Sequence, residues 1–327
     1  MRRLTSLVLL AAVPLWAGCG GGDPAETARD DKVIGIVRAV RSTEGEVNQA
    51  AFLAELASLG YTEGRNLTVH GRDVDEVHAE PAAAEAVVRR WAAGRLDLVV
   101  ALSSAGAAAA ARAVPDRPVV FLSNDPVAAG LVREERHPDR NLTGATFRVP
   151  ADRTLDLARR ATGGRGRIGF LFPSEDRAAA PVVEAARRAA EHLGIDLAVR
   201  SFATTEDLPE ALAQLRADGA VCVVAANAPA TARNLPALAA AAEAAGLPVV
   251  ANTAADFALI VLQPDAPELY RQMARQVARL LAGVPPAEVP VEDPARFRFS
   301  LNLAVAARLG IEVPADVVQL ADTVIRP

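Results

Sequence analysis

From residue 33 onward, short runs of β-branched and other apolar residues alternate with longer stretches whose apolar positions recur every three to four residues. The runs at 33–37, 67–69, 96–102 and 118–122 read as strands, each short, continuous and bounded by turn or polar residues. Between them Phe52, Leu53, Leu56 and Leu59, and then Ala84, Val87, Val88 and Trp91, fall at helical spacing, so each connecting segment can lay one apolar stripe on a sheet. Strands and amphipathic helices in alternation predict a parallel sheet with crossover helices.

The pattern then starts again. Strand-like runs at 167–172, 195–202, 219–226 and 247–252 are separated by helical stretches at 178–192, 208–216 and 230–245. Two α/β units in tandem follow, with a boundary near 147–150, where Gly144 and Pro150 bracket the end of the first. Beyond the second unit lie an apolar run at 258–263, a long amphipathic helix at 266–281, a Pro-rich connection at 285–294, a strand-like stretch at 296–301 and a short final helix. These are too few for a third domain, so they are expected to cross back and complete the first two. The expected fold is α/β: two doubly wound parallel-sheet lobes joined by a multi-strand hinge. The N-terminal lobe would comprise 32–147 and about 266–287, the C-terminal lobe 148–265 and about 288–327.

The 327 residues are 51% hydrophobic and 23% charged, which excludes a disordered chain and supplies two full cores. Lys and Arg number 35 against 40 Asp and Glu, for a net charge of -5, and Lys32 is the single lysine. The arginines are spread out, and no basic block points to nucleic acid.

The N-terminus reads as an address. Arg2 and Arg3 form a positive start, 4–15 an apolar stretch, and Ala17-Gly18 a small-residue approach to Cys19. No later segment is apolar enough to span a bilayer. Small residues before a cysteine resemble a bacterial lipobox, with Trp16 standing where such boxes carry Leu. Residues 1–19 would then be a lipoprotein signal peptide, Cys19 the lipidated residue, and 20–31 a flexible polar tether. Cleavage before Cys19 would remove two arginines and no acid, taking the net charge to -7. An ordinary signal peptide cleaved elsewhere, or an uncleaved anchor, would still export the chain. The other cysteine, Cys222, lies in an apolar run and reads as a buried small hydrophobe, so no disulfide framework or multi-cysteine zinc site is expected.

Catalytic signatures are missing. Gly164, Gly166 and Gly169 have dinucleotide-loop spacing but precede a strand instead of following one. There is no Walker sequence, nucleophile elbow or His-Glu-x-x-His helix. The stretch from His70 to His78, with Asp73, Asp75 and Glu76, reads as a solvated loop, not a metal site, because its spacing is irregular. No cofactor, metal or catalytic residue is expected. The sequons at Asn66 and Asn141 read as turn and strand residues.

The informative positions lie just past the carboxyl ends of the strands, where open parallel sheets bind ligands and helix N-termini offer unpaired N–H groups. In the first unit these are Arg38, Ser42, Ser103, Ser104, Ser123, Asn124 and Asp125, and in the second Pro173, Ser174, Glu175, Asn227, Asn252, Thr253 and Asp256. Helix capping is an alternative use for Ser104, Asp125 and Ser174, and does not exclude ligand contact.

Several blocks in order carry a resemblance over nearly the whole mature chain. They are Leu59-Gly-Tyr-Thr-Glu-Gly-Arg-Asn66, Asn124-Asp-Pro-Val-Ala-Ala-Gly-Leu-Val132, Asn141-Leu-Thr-Gly144, the Pro-rich stretch 281–294 and Asn302-Leu-Ala-Val-Ala-Ala-Arg-Leu-Gly310. The chain resembles the ABC transporter substrate-binding proteins of the tryptophan/tyrosine-binding type, which are type I periplasmic-binding-protein-like. The resemblance implies a bilobed receptor that delivers a small solute to an ABC permease and its ATPase; with the lipobox at Cys19, the expectation is a monomer, lipid-anchored outside the cytoplasmic membrane, that binds a small polar solute such as an amino acid. It sets Asn124 and Asp125 facing a cleft, with Ser103 and Ser104 as the hydroxyl pair after the third strand. Where members often carry a Ser-Tyr-Gly-Pro-like turn, this chain has Val261-Leu262-Gln263-Pro264.

The expected ligand-binding set is Ser103, Ser104, Asn124, Asp125, Ser174, Asn227 and Asn252, with Phe257 as an apolar wall and Asp125 holding a cationic group. Two other readings stay open. One is an exported cleft enzyme using Asp125 and Glu175 as acid and base. The other is a ligand-sensing ectodomain of a signalling system.

Overall fold

A computed structural model describes residues 30–39, 41, 44–164, 166–175, 179–226 and 228–327. The first lobe opens with β1 (Lys32–Val37), α1 (Gly45–Ser58), β2 (Leu67–His70), α2 (Pro81–Ala92), β3 (Leu98–Ala101), α3 (Ser104–Ala113), β4 (Val119–Ser123) and β5 (Leu142–Thr146). The second contributes α4 (Ala151–Ala161), β6 (Arg167–Pro173), α5 (Ala179–Leu193), β7 (Leu197–Phe202), α6 (Leu208–Ala217), β8 (Ala220–Ala225), α7 (Pro229–Arg233), α8 (Leu235–Ala245), β9 (Val249–Ala251) and β10 (Ile260–Pro264). Then come α9 (Ala266–Leu281), β11 (Phe297–Asn302), α10 (Leu303–Arg308), α11 (Ala315–Leu320) and β12 (Thr323–Ile325).

The first sheet has strand order β2-β1-β3-β4-β5 and is parallel throughout. Both its faces are covered, which is why its strands are near-continuous apolar runs. On one face α2 and α3 bury Val88, Trp91 and Ala110 against Val99, Val119 and Phe121. On the other, α1 brings Phe52 and Leu56 beside Leu269, Met273 and Val277 of α9, the amphipathic helix from far along the chain.

The second sheet has order β12-β11-β10-β9-β8-β6-β7. It is parallel from β7 to β10; β11 runs antiparallel to β10, and β12 parallel to β11. Helices α4, α5, α10 and α11 pack on one face and α6 and α8 on the other. The architecture is the expected pair of doubly wound α/β lobes, with β11 as an antiparallel addition made by a returning chain.

The structure also departs from the expected element boundaries. Residues 142–146 form a buried strand, although Thr143, Gly144 and Thr146 break its apolar pattern. Gly144 is needed there: a Cβ on it would stand 2.1 Å from the Phe121 carbonyl oxygen on the neighbouring strand. The stretch 230–245 divides into α7 and α8, since Pro236 sits in the first turn of the second helix. Residues 289–292 stay on the first sheet's edge: Thr143 Oγ1 donates to the Val289 carbonyl (2.5 Å), and the Glu292 N–H donates to the Gly144 carbonyl (3.0 Å).

Candidate binding site at the junction of the lobes

Three segments carry the chain between lobes: from β5 to α4, from β10 through Asp265 to α9, and from Asp293 to β11. Polar side chains tie them together. Arg148, in the first crossing, donates to both oxygens of Glu135 (2.9 and 2.7 Å) and to Oδ1 of Asp293 in the third (3.0 Å from Nε). Hydrogen bonds to Glu135 foremost, and to Asp293, raise the affinity of this guanidinium for its proton. Gln272 of α9 donates to the Asp293 carbonyl (2.9 Å) and accepts from the Ala295 N–H (3.3 Å). Asp265 caps α9 through the Glu268 N–H (3.4 Å) and pairs with Arg298 (3.3 Å), which fastens the second crossing to β11.

Against these crossings lies a cavity of about 190 Å³. The first lobe supplies Glu44, Asn48 of α1, Leu122 of β4, Phe147 and Tyr270 of α9; the second supplies Gln263 and Pro264 of β10 and Arg298 of β11, with Ala266 and Pro267 at the crossing. Leu122, Phe147, Pro264, Pro267 and the Tyr270 ring give it apolar walls, and Glu44, Asn48, Gln263, Arg298 and the Tyr270 hydroxyl give it polar ones. Two of those groups stand out. Asn48 is 4% exposed, yet its Oδ1 has no hydrogen-bond partner among the described residues. Burial pushes the Tyr270 phenol up to about 12, so it stays protonated and able to donate.

Arg38, at the carboxyl end of β1, is 5% exposed. Its guanidinium donates to the carbonyls of Gly71 (2.6 Å) and Asp73 (3.3 Å) and to the Gln49 side-chain oxygen. Gln49 in turn donates to the Arg72 carbonyl (2.7 Å). A buried cation is thus held by neutral acceptors, and burial lowers its pKa below that of a free arginine. The cage fixes the first turns of α1, where Asn48 is the adjacent residue.

Of the residues singled out in the sequence, Ser103, Ser104, Asn124 and Asp125 come together past the ends of β3 and β4. Ser103 Oγ caps α3, accepting from the Gly106 N–H (3.0 Å), and Ser104 Oγ lies 2.7 Å from that of Ser123. Asn124 is exposed, and Asp125 Oδ1 accepts from the Ala128 N–H (2.8 Å), with its second oxygen outside that bond. Ser174, at the end of β6, is exposed and donates to the Phe202 carbonyl (3.3 Å).

Two others turn into the second lobe. Asn252 is 8% exposed, and its amide nitrogen donates to Thr154 Oγ1 (3.1 Å) and the Leu262 carbonyl (2.9 Å), bracing α4 and β10. Phe257 packs on the core of α6 and α8. Cys19, Ser42 and Asn227 lie outside the described residues. None of the other singled-out ligand residues lines the cavity, whose polar groups come from helices and from the last strands.

His70 stacks on Trp91 (5.7 Å between centroids) and His78 meets it edge-on (6.2 Å). Among the described residues no group of three or more His, Cys, Asp and Glu could hold a metal ion, and no helix is long and apolar enough to cross a membrane. Cys222 is fully buried, and desolvation pushes its thiol up to about 12.

Residues 34–325 match the family described as ABC transporter substrate binding protein. A tyrosine-binding protein of Clostridioides difficile (strain R20291) is 22% identical over 225 residues; the match spans 65% of this chain and 64% of that protein's length. Two solved structures share the fold. A substrate-binding protein with adhesive properties from Clostridium difficile, in its ligand-free, open state, is 21% identical with a TM-score of 0.77, over 90% of this chain and 99% of that one. A Streptococcus pneumonia protein described as an ABC domain in complex with L-Trp is 21% identical with a TM-score of 0.72, over 90% and 100%.

Proposed function

The chain belongs to the ABC transporter substrate-binding protein family, whose members bind a solute and are not enzymes, and we propose that it captures an amino acid between its lobes for import. The solute's carboxylate is held by Ser103, Ser104 and the amino end of α3, its ammonium by Asp125, with Asn124, Ser174 and Asn227 as further polar contacts. Its side chain enters the cavity at the junction. The names of the relatives, one for tyrosine binding and one holding L-Trp, support an amino acid as the solute. The observation that carries the reading is the cavity itself: both lobes wall it, and its lining mixes apolar and polar side chains.

Binding favours the closed arrangement by the solute's differential affinity for it, with the three crossings as the hinge. The loaded protein then presents the solute to an ABC permease driven by its ATPase. Cys19 anchors a monomer by lipid outside the cytoplasmic membrane, with 20–31 as its tether.

Isothermal titration of the purified protein with each of the common amino acids tests this. An aromatic amino acid is expected to bind, and Asp125→Ala to weaken it by about tenfold or more, through loss of a hydrogen bond to a charged group. Binding by none of them, or unchanged affinity in Asp125→Ala, would overturn the respective assignment.

A further inference from the structure

Two charged side chains line the junction cavity, one from each lobe and of opposite sign: Glu44, the residue before α1, and Arg298 of β11. Both are exposed, whereas Asn48 and Pro264 of the same lining are buried, so the two charges stand on the cavity's solvent side. Each is mounted on a packed part of its own lobe. α1 is fixed by Phe52 and Leu56 in the core it shares with α9, and Arg298 lies opposite Gln263 in the antiparallel pairing of β11 with β10. The guanidinium can serve a second partner. Its Nε lies 3.3 Å from Asp265 Oδ2, and the fork carries further N–H groups on its terminal nitrogens. Arg296 stands 3.8 Å from the same Asp265 oxygen, so that carboxylate keeps a cation beside it if Arg298 turns away.

Solvent links this pair to capture. Across water the attraction between two exposed charges is screened, and an occupant that displaces the water raises it several-fold at the same separation. Approach of the lobes shortens the separation as well. An occupied cavity therefore favours pairing of the two groups, and by reciprocity their pairing favours the occupied cavity. We propose that Glu44 and Arg298 form an ion pair across the mouth of the loaded cavity, a latch that couples occupancy to closure of the lobes. This rests on the reading that the cavity receives part of a captured solute. The pair forms after entry, so it slows release and does not select which solute enters.

Calorimetry of the purified full-length chain with L-tyrosine and with L-tryptophan, in a double-mutant cycle, tests the proposal. Glu44→Gln and Arg298→Gln are each expected to weaken binding about two- to fivefold. The double variant is expected to lose no more than either single one, because the same interaction is removed each time. Raising salt is expected to weaken the wild type by a larger factor than the double variant. Arg298→Lys, which keeps the charge, is expected to retain most of the affinity and the salt response. Losses that multiply in the double variant would overturn the latch, since each group would then meet the solute by itself, and capture between the lobes would stand. Unchanged affinity in both single variants would overturn it as well. Failure of every amino acid to bind the wild type would overturn both readings.

Discussion

Arg38 shows how a single side chain organises the first lobe at the carboxyl end of β1. Replacing it with methionine removes the donor for two loop carbonyls and leaves the buried Gln49 oxygen without this partner. Arg38→Met is therefore expected to lose about 2–4 kcal/mol in urea denaturation. The sequence marked Arg38 only as a polar residue past a strand, because its carbonyl partners lie more than thirty residues away on the loop after β2. Asn48 carried no signal at all: on α1 it reads as one more polar residue, and its burial comes with the packing of α9 on α1.

Cys222 supplies a pH prediction. A thiol of ordinary pKa about 8.5 when unfolded and about 12 when folded binds its proton more tightly in the native state, so its share of stability is complete below pH 8.5 and drains away as pH rises toward 12. Between pH 8 and 10 the wild type is expected to lose about 2 kcal/mol more than Cys222→Ala, as measured by urea midpoints across that range.

At the scale of elements, the first lobe is discontinuous. Its core includes Leu269, Met273, Val277, Leu280 and Leu281, all from α9. A fragment of residues 30–150 is expected to expose that face, bind a hydrophobic dye and show no cooperative unfolding; a cooperative, dye-silent fragment would contradict this account of the core. The crossings have their own fastening: Arg148→Met is expected to cost about 1–3 kcal/mol by breaking charged hydrogen bonds to Glu135 and Asp293, read from the denaturation midpoint.

Strands buried on both faces were the most legible elements, since β1, β3, β4, β6 and β8 are near-continuous apolar runs. Those read incompletely or missed each have a local reason. β5 is five residues with two threonines and a glycine, and its burial comes from β4 and α9. α4 is dominated by Arg and Asp, with only Thr154, Leu155, Ala158 and Ala161 buried. β12 is three residues paired with β11.

At the scale of the whole molecule, the tandem pattern and the return of the last elements were enough to expect two lobes with several crossings, and the structure has both. A rule about strand ends selects Ser103, Ser104, Asn124, Asp125 and Ser174, because a parallel sheet places the carboxyl ends of its strands along one edge, and none of these lines the cavity. The same rule selects Asn252, whose amide the fold uses internally, and overlooks Tyr270, Gln263 and Arg298, which reach the junction only because the chain crosses three times.

Capture by closure makes a claim about shape. Small-angle X-ray scattering of the purified protein, titrated with L-tyrosine, should show the radius of gyration falling and levelling off where calorimetry shows saturation. Saturable binding with an unchanged radius would mean that the two lobes do not close on their solute.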